Sequence, residues 1–230
     1  MIEILREQLF HPLSSLAQDT PSWQLYVLLL LAVVIATTVH EFGHAWMADR
    51  LGDPLPREEG RVRLSPFAHI DPNGFLMLMV TMLIGFPLGW GKPVRTNPEK
   101  YRCGMRKGIG LVAAAGPAMN LLTAVLLAPL ARFVLGGGIG RDETALWVFL
   151  TLAIVMLVNL SLFCFNLVPV HPLDGSHITA SLLPESLAKP YRDFMKNYGF
   201  YVLLLLMGSG VLGKIIGPMI LAIFRFLLGV

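Results

Sequence analysis

Leu28 to Met47 reads LLLLAVVIATTVHEFGHAWM, about the 20 residues an α-helix needs to cross a bilayer, with three ionisable side chains inside the run. His40 and His44 stand four apart, so on a helix their imidazoles lie one above the other and can bind one ion. Glu41 follows His40 by about 100° of helical rotation and points beside the pair. H-E-x-x-H is a zinc pattern: the metal brings the pKa of a water toward neutrality, and the carboxylate takes its proton and later gives it to the leaving amine. The plainer reading is two buried histidines and a helix-surface glutamate. An ionisable group in a spanning helix costs roughly 2.5 to 3.5 kcal/mol on insertion scales and marks a functional site, so three in one turn favour the metal.

The rest of the chain places this helix in a membrane. Of 230 residues, 55% are hydrophobic and 14% charged, and mean hydropathy is +0.65, more apolar surface than a soluble core of this length can hide. Spans are predicted over Trp23 to Met47, Ile109 to Leu135 and Trp147 to Val168. The tail from Phe200 to Val230, broken by Gly208-Ser209-Gly210 and Gly217-Pro218, reads as one long kinked span or two shorter ones. Met1 to Ser22 reads as an interfacial segment, and no cleavable signal peptide is expected. The net charge of +3 resides in loops and gives no support to a nucleic-acid partner. Cys103 and Cys164 have neither thiolate-metal nor disulfide spacing and read as free thiols.

Catalytic zinc takes three protein ligands and leaves a position open, so a third donor must come from elsewhere. Asp174 is the choice, in the turn Pro169-Val170-His171-Pro172-Leu173-Asp174-Gly175 after a span, where irregular backbone is tolerated only if it is buried or lines a wet cavity. His171 is the competing ligand. This pairing makes a demand on topology, because the C-terminal ends of the first span and of the span before Asp174 must meet at one depth. Gly74 to Leu88 is too short and too broken for a comfortable crossing, and if it re-enters, those two helices run parallel. Re-entry also gathers Arg50, Arg57, Lys92, Arg95, Arg106 and Lys189 on one face, as cytoplasmic loops require, with the N-terminus outside and the site toward the cytoplasm. The alternation Gly60-Arg61-Val62-Arg63-Leu64 suggests a short strand or hairpin. Glu143 and Glu185 read as loop residues, which argues against a metallopeptidase with a glutamate third ligand. His69 and Asp71 read as loop-structuring residues.

These residues resemble the site-2 protease family of membrane-embedded metalloproteases. The resemblance rests on His40-Glu41-Phe42-Gly43-His44, on Gly116-Pro117-Ala118-Met119-Asn120, and on Asn166-Leu167-Val168-Pro169 leading to Leu173-Asp174-Gly175. The pieces His69 to Gly74 and Gly89 to Val94 look like the compact branch without a PDZ domain. The resemblance implies a three-helix catalytic core, one Zn2+ held by His40, His44 and Asp174, and transmembrane segments of other proteins as substrates, aligned by membrane-embedded strands. It implicates Asn166 as oxyanion stabiliser and Asn120 as packing or site lining. His171 departs from the pattern, which usually has proline or a small apolar residue there, so an extra ligand or an altered gate stays open, with site lining as its other role.

The expectation is an all-α polytopic membrane protein forming a single domain over 1–230. It has a three-helix catalytic core, a short membrane-associated β-hairpin or re-entrant segment, and one or more C-terminal helices. The expected activity is intramembrane zinc endopeptidase, in the bilayer of the cell membrane. The alternative is a metal-binding transporter or non-catalytic metal-binding membrane protein, although no repeated halves are visible. Oligomeric state is not legible.

Overall fold

The computed structural model describes residues 22–83, 89–140 and 142–230, so the expected interfacial segment falls almost wholly outside the described residues. Helix α1, Ser22–Arg50, carries the H-E-x-x-H pattern in its second half. It is free of glycine until Gly43 and stops at Gly52, whose φ of 107° is outside helical space. Two single-turn helices follow, α2 at Leu55–Glu58 and α3 at Pro66–His69.

The expected strand over Gly60–Leu64 does not form. Gly60 takes φ 67°, and the Arg61 N–H turns back to Pro56 O at 2.8 Å, so the backbone is satisfied by local turns. The pleat reading also has its faces reversed: Arg61 is only 3% exposed while Leu64 is 63% exposed. Among the described residues, β pairing is limited to isolated bridges, Ile70 with Gly91 and Gly138 with Gly140.

The first of those bridges decides the topology. Helix α4, Pro72–Leu83, is about 18 Å long, well short of a hydrocarbon core of roughly 30 Å. On its far side the chain comes back to its starting point, where Ile70 faces Gly91 antiparallel and the Lys92 N–H donates to His69 O at 2.7 Å. The returning arm runs close enough that a Cβ on Gly74 would lie 2.1 Å from Trp90 O. The segment therefore enters and leaves on one side, as expected for re-entry.

After a 3-10 turn at Pro98–Lys100 comes α5, Met105–Leu135, then α6, Glu143–Asn166, whose first turn is capped by Asp142 Oδ1 accepting from Ala145 N at 3.0 Å. A short α7, Asp174–Leu182, leads to α8, Glu185–Gly208, and α9, Val211–Leu228. Glu143 and Glu185 thus open helices rather than sitting in loops. Gly210, at φ 71°, separates α8 from α9. Of the described helices, α1, α5, α6 and α9 are long and apolar enough to cross a membrane. The tail is therefore one span, α9, preceded by α8, whose first half is charged and whose apolar end packs through Leu203 on Cys164, Val170 and Leu173.

The main core lies between α5 and α6, where Ala124, Ala128 and Ala131 let Phe149, Met156 and Leu160 approach, with Phe224 and Leu228 of α9 closing the side. In α1, Ala32 and Ala36 meet Ile154 and Val158 of α6 and Leu78 of α4. Small residues at these crossings give the close backbone approach that helix association in lipid depends on. The Arg102 N–H donates to Leu51 O at 2.8 Å, joining the approach to α5 to the end of α1.

Candidate metal centre

Two glycines set how closely α1 and α5 cross. A Cβ on Gly43 would lie 2.5 Å from Ala115 O, and a Cβ on Gly116 would lie 2.4 Å from His44 Nε2 and 2.9 Å from His40 Cε1. The α5 backbone therefore passes directly over the two imidazoles. Asp174 arrives from the other side as the first residue of α7, where the helix dipole favours a carboxylate. Gly175 makes that turn possible, because a Cβ there would lie 2.3 Å from Val168 O.

The three side chains meet. His40 Nε2 and His44 Nε2 are 3.1 Å apart, and Asp174 Oδ2 lies 3.1 Å from the first and 3.4 Å from the second. Ligand atoms about 2.0 Å from a tetrahedral zinc would stand roughly 3.3 Å apart, so the spacing of the three side chains would suit that ion. The hydrogen bonds behind the rings say which atoms carry protons. His44 Nδ1 donates to Val112 O at 2.8 Å. Asn120 Nδ2 donates to Ala36 O at 2.9 Å, so its Oδ1 is the atom facing His40 Nδ1 at 2.7 Å. When neutral, each imidazole thus carries its proton on Nδ1 and turns the Nε2 lone pair inward. Asp174 Oδ2, also buried, finds no hydrogen-bond donor among the described residues. Three lone pairs aimed at one point repel unless a cation lies between them, and two imidazoles with a carboxylate are a donor set that suits zinc.

Glu41 faces the returning arm of the re-entrant segment. A Cβ on Gly91 would lie 3.2 Å from Glu41 Oε1 and 2.7 Å from Thr37 Cγ2, so the absence of a side chain at Gly91 lets the backbone there pack directly against α1 beside Glu41. Arg61 holds the mouth of the segment by donating to Ala68 O and Lys92 O, the carbonyls just before and just after it. Burial pulls its guanidinium below the usual arginine value, and the Glu41 and Glu59 carboxylates offset part of that. His69 donates from Nε2 to Arg63 O at 2.8 Å, and burial lowers its pKa, which favours the neutral ring. Asp71 Oδ1 accepts from Gly74 N at 2.8 Å. Both are loop-structuring, as expected.

The remaining expected residues lie outside the triad. Asn166 Nδ2 donates to Leu162 O at 3.1 Å, one turn back in its own helix. His171 sits on the turn before Asp174, against Gly199 of α8, with its ring 6.0 Å from that of His177. Glu185 is paired with Arg192 at 2.7 Å and Glu143 accepts from Trp147 Nε1 at 3.4 Å, so each has its own partner. Arg61 entered the sequence analysis only through the Gly60–Leu64 alternation, and His177 and Asn159 did not enter it. Only Asn159 carried a signal there, a polar side chain within an apolar span.

The profile of Peptidase family M50 matches residues 138–209, which include α6, the Asp174 turn and α8. "Putative zinc metalloprotease YwhC" of Bacillus subtilis is 32% identical over 84% of this chain and 85% of that protein. "Putative zinc metalloprotease Rip2" of Mycolicibacterium smegmatis is 29% identical over 82% of this chain and 70% of that protein. No solved structure matches the chain.

Proposed function

The chain belongs to peptidase family M50, the site-2 proteases, and from that premise we propose that its zinc is held by His40 Nε2, His44 Nε2 and Asp174 Oδ2, with Glu41 as the acid–base group. It is an intramembrane zinc metalloprotease, and membrane proteins are its substrates. The observation that carries the ligand assignment is the inward convergence of three buried lone pairs at 3.1 to 3.4 Å. Bound zinc supplies Lewis acidity, acidifying water and polarising a carbonyl oxygen.

The residues of the chain do the rest. Glu41 takes a proton from water and returns it to the leaving amine. Asn166 stabilises the developing oxyanion once its amide turns from Leu162 O, and its replacement by alanine is expected to lower kcat about 10²- to 10³-fold with zinc content unchanged. An equal kcat would remove Asn166 from the reaction. His171 lines the outer side of the Asp174 turn.

The charge distribution supports a site opening toward the cytoplasm and an N-terminus outside. Arg50 ends α1 and Arg106 begins α5 at the end of the bundle that holds the site. The opposite end has Arg132 and Arg225, in the last turns of α5 and α9. Cysteines placed in the connector 136–140 are expected to label from outside intact cells, and labelling only after permeabilisation reverses the orientation.

The function is tested by measuring zinc content and cleavage of a transmembrane reporter on the same purified samples. Glu41→Gln is expected to keep the metal and lose turnover, and Asp174→Ala to lose both. Native turnover in Glu41→Gln takes the proton chemistry away from Glu41. Full zinc in Asp174→Ala moves the third ligand elsewhere, with His171 the first candidate.

A further inference from the structure

Asn159 is fully buried in α6, inside an apolar span, and none of the chemistry assigned above uses it. Its Nδ2 donates to Val155 O at 2.8 Å, and its Oδ1 accepts from Asn120 Nδ2 at 2.8 Å. The same Asn120 Nδ2 donates to Ala36 O at 2.9 Å, and Asn120 Oδ1 faces His40 Nδ1 at 2.7 Å. We propose that Asn159 is a positioning residue for the metal: through Asn120 it holds His40 in the tautomer that carries its proton on Nδ1 and turns its Nε2 lone pair toward Asp174. The inference rests on the assignment of His40, His44 and Asp174 as ligands.

The argument is one of polarity. The chain of amides ends on two main-chain carbonyls, those of Val155 and Ala36, which can only accept. Turning the Asn120 amide over would set its oxygen against Ala36 O and against Asn159 Oδ1. Turning both amides over would mend the contact between them but set oxygen against oxygen at Ala36 and at Val155. One arrangement alone satisfies every group, and in it Asn120 presents an acceptor to His40. His40 must then donate from Nδ1. His44 reaches the same tautomer by a shorter route, donating straight to the main chain at Val112 O. One ligand is thus oriented by backbone directly, and the other by a relay that joins α1, α5 and α6.

Without the Asn159 oxygen, one N–H of the Asn120 amide is buried with no acceptor. That costs roughly 1 to 3 kcal/mol, and the amide is released from the position that orients the ring. Partners behind a metal-bound histidine are typically worth about 10- to 100-fold in metal affinity. Asn159→Leu removes the acceptor with little change in volume. Asn159→Asp keeps an oxygen for Asn120 Nδ2 and so keeps the direction of the relay.

The test uses the full chain in detergent. Zinc affinity is measured by competition with a chromophoric chelator for the native protein, Asn159→Leu, Asn159→Asp and Asp174→Ala. Alongside it, imidazole 15N shifts of histidine-labelled, metal-free protein report the tautomer, with the His40 signals assigned by their loss in His40→Ala. The expected result is zinc binding weakened about 10- to 100-fold in Asn159→Leu, a mixture of His40 tautomers in that variant, and recovery to within a few-fold of native in Asn159→Asp. Native affinity in Asn159→Leu overturns the proposal. So does a weakening with His40 still wholly protonated on Nδ1, or one that Asn159→Asp fails to restore, since either marks a role in packing alone. Native zinc affinity in Asp174→Ala is a separate result, which overturns the ligand set and not the relay.

Discussion

A single missing methyl group separates the imidazoles from the helix above them. Gly116→Ala would place a Cβ 2.4 Å from His44 Nε2, while Gly43→Ala would place one 2.5 Å from Ala115 O. The two substitutions should therefore fail differently. Gly116→Ala meets side chains that can rotate, so the fold survives and zinc content falls. Gly43→Ala meets backbone that cannot yield locally, so the helices part and thermal stability drops by about 1 to 3 kcal/mol, the usual scale of overpacking. Zinc stoichiometry and melting of each variant check this, and a Gly116→Ala protein with native zinc would show that the ring positions tolerate more room than the packing implies. The histidines and Glu41 were legible from spacing because one helix suffices to bring them together. Gly116 entered only as part of the Gly116-Pro117-Ala118-Met119-Asn120 motif, since its contact with His44 depends on the register of α1 against α5.

Among the elements, the re-entrant segment depends most on groups outside itself. Its mouth is closed by the Ile70–Gly91 bridge and by Arg61, whose guanidinium joins Ala68 O to Lys92 O. In Arg61→Met those two carbonyls lose their donor, at roughly 1 to 3 kcal/mol for each one left buried. Hydrogen exchange at the Lys92 amide, which donates to His69 O, is expected to speed up accordingly while amides in α5 keep their rates. Unchanged exchange at Lys92 would mean that the bridge holds without Arg61. The alternation around Arg61 suggested a strand because period-2 patterning assumes that the apolar side chains turn inward. Here a buried arginine turns inward instead, and the turn at Gly60 satisfies the backbone locally. The tail shows the same limit: hydropathy marked the break at Gly210, but only packing shows α8 lying on the end of α6 while α9 crosses alone.

Over the whole molecule, the proposed ligand set would make the metal a cross-link between the second half of α1 and the start of α7, segments far apart in the chain. A ligand that binds only the folded state stabilises by mass action, about 4 kcal/mol at a thousandfold excess over its dissociation constant. Chelation should therefore lower the melting temperature of the native protein and restored zinc should raise it again. Asp174→Ala should melt at one temperature with or without added zinc. A zinc-dependent rise in that variant would place the stabilising ion elsewhere. The proposed link accords with the topology, since it needs the C-terminal ends of α1 and α6 at one depth, and beyond α4 the chain is back beside Ile70 at Gly91.

The sequence alone determined what short-range spacing and hydropathy can encode: that the chain is a polytopic membrane protein, that two histidines share a helix face with a glutamate beside them, that Asp174 sits on a turn after a span, and that residues 74–88 are too short to span. Each of these is a statement about neighbours within one element or about the length of one. Tertiary structure decided the relations between elements, including the triangle of lone pairs, the backbone of Gly116 over the imidazoles, Arg61 across the mouth of the re-entrant segment, and the relay from Asn159 through Asn120 to His40. Those contacts join residues tens of positions apart. Their identity depends on helix register and rotation, which packing fixes and which no local pattern records.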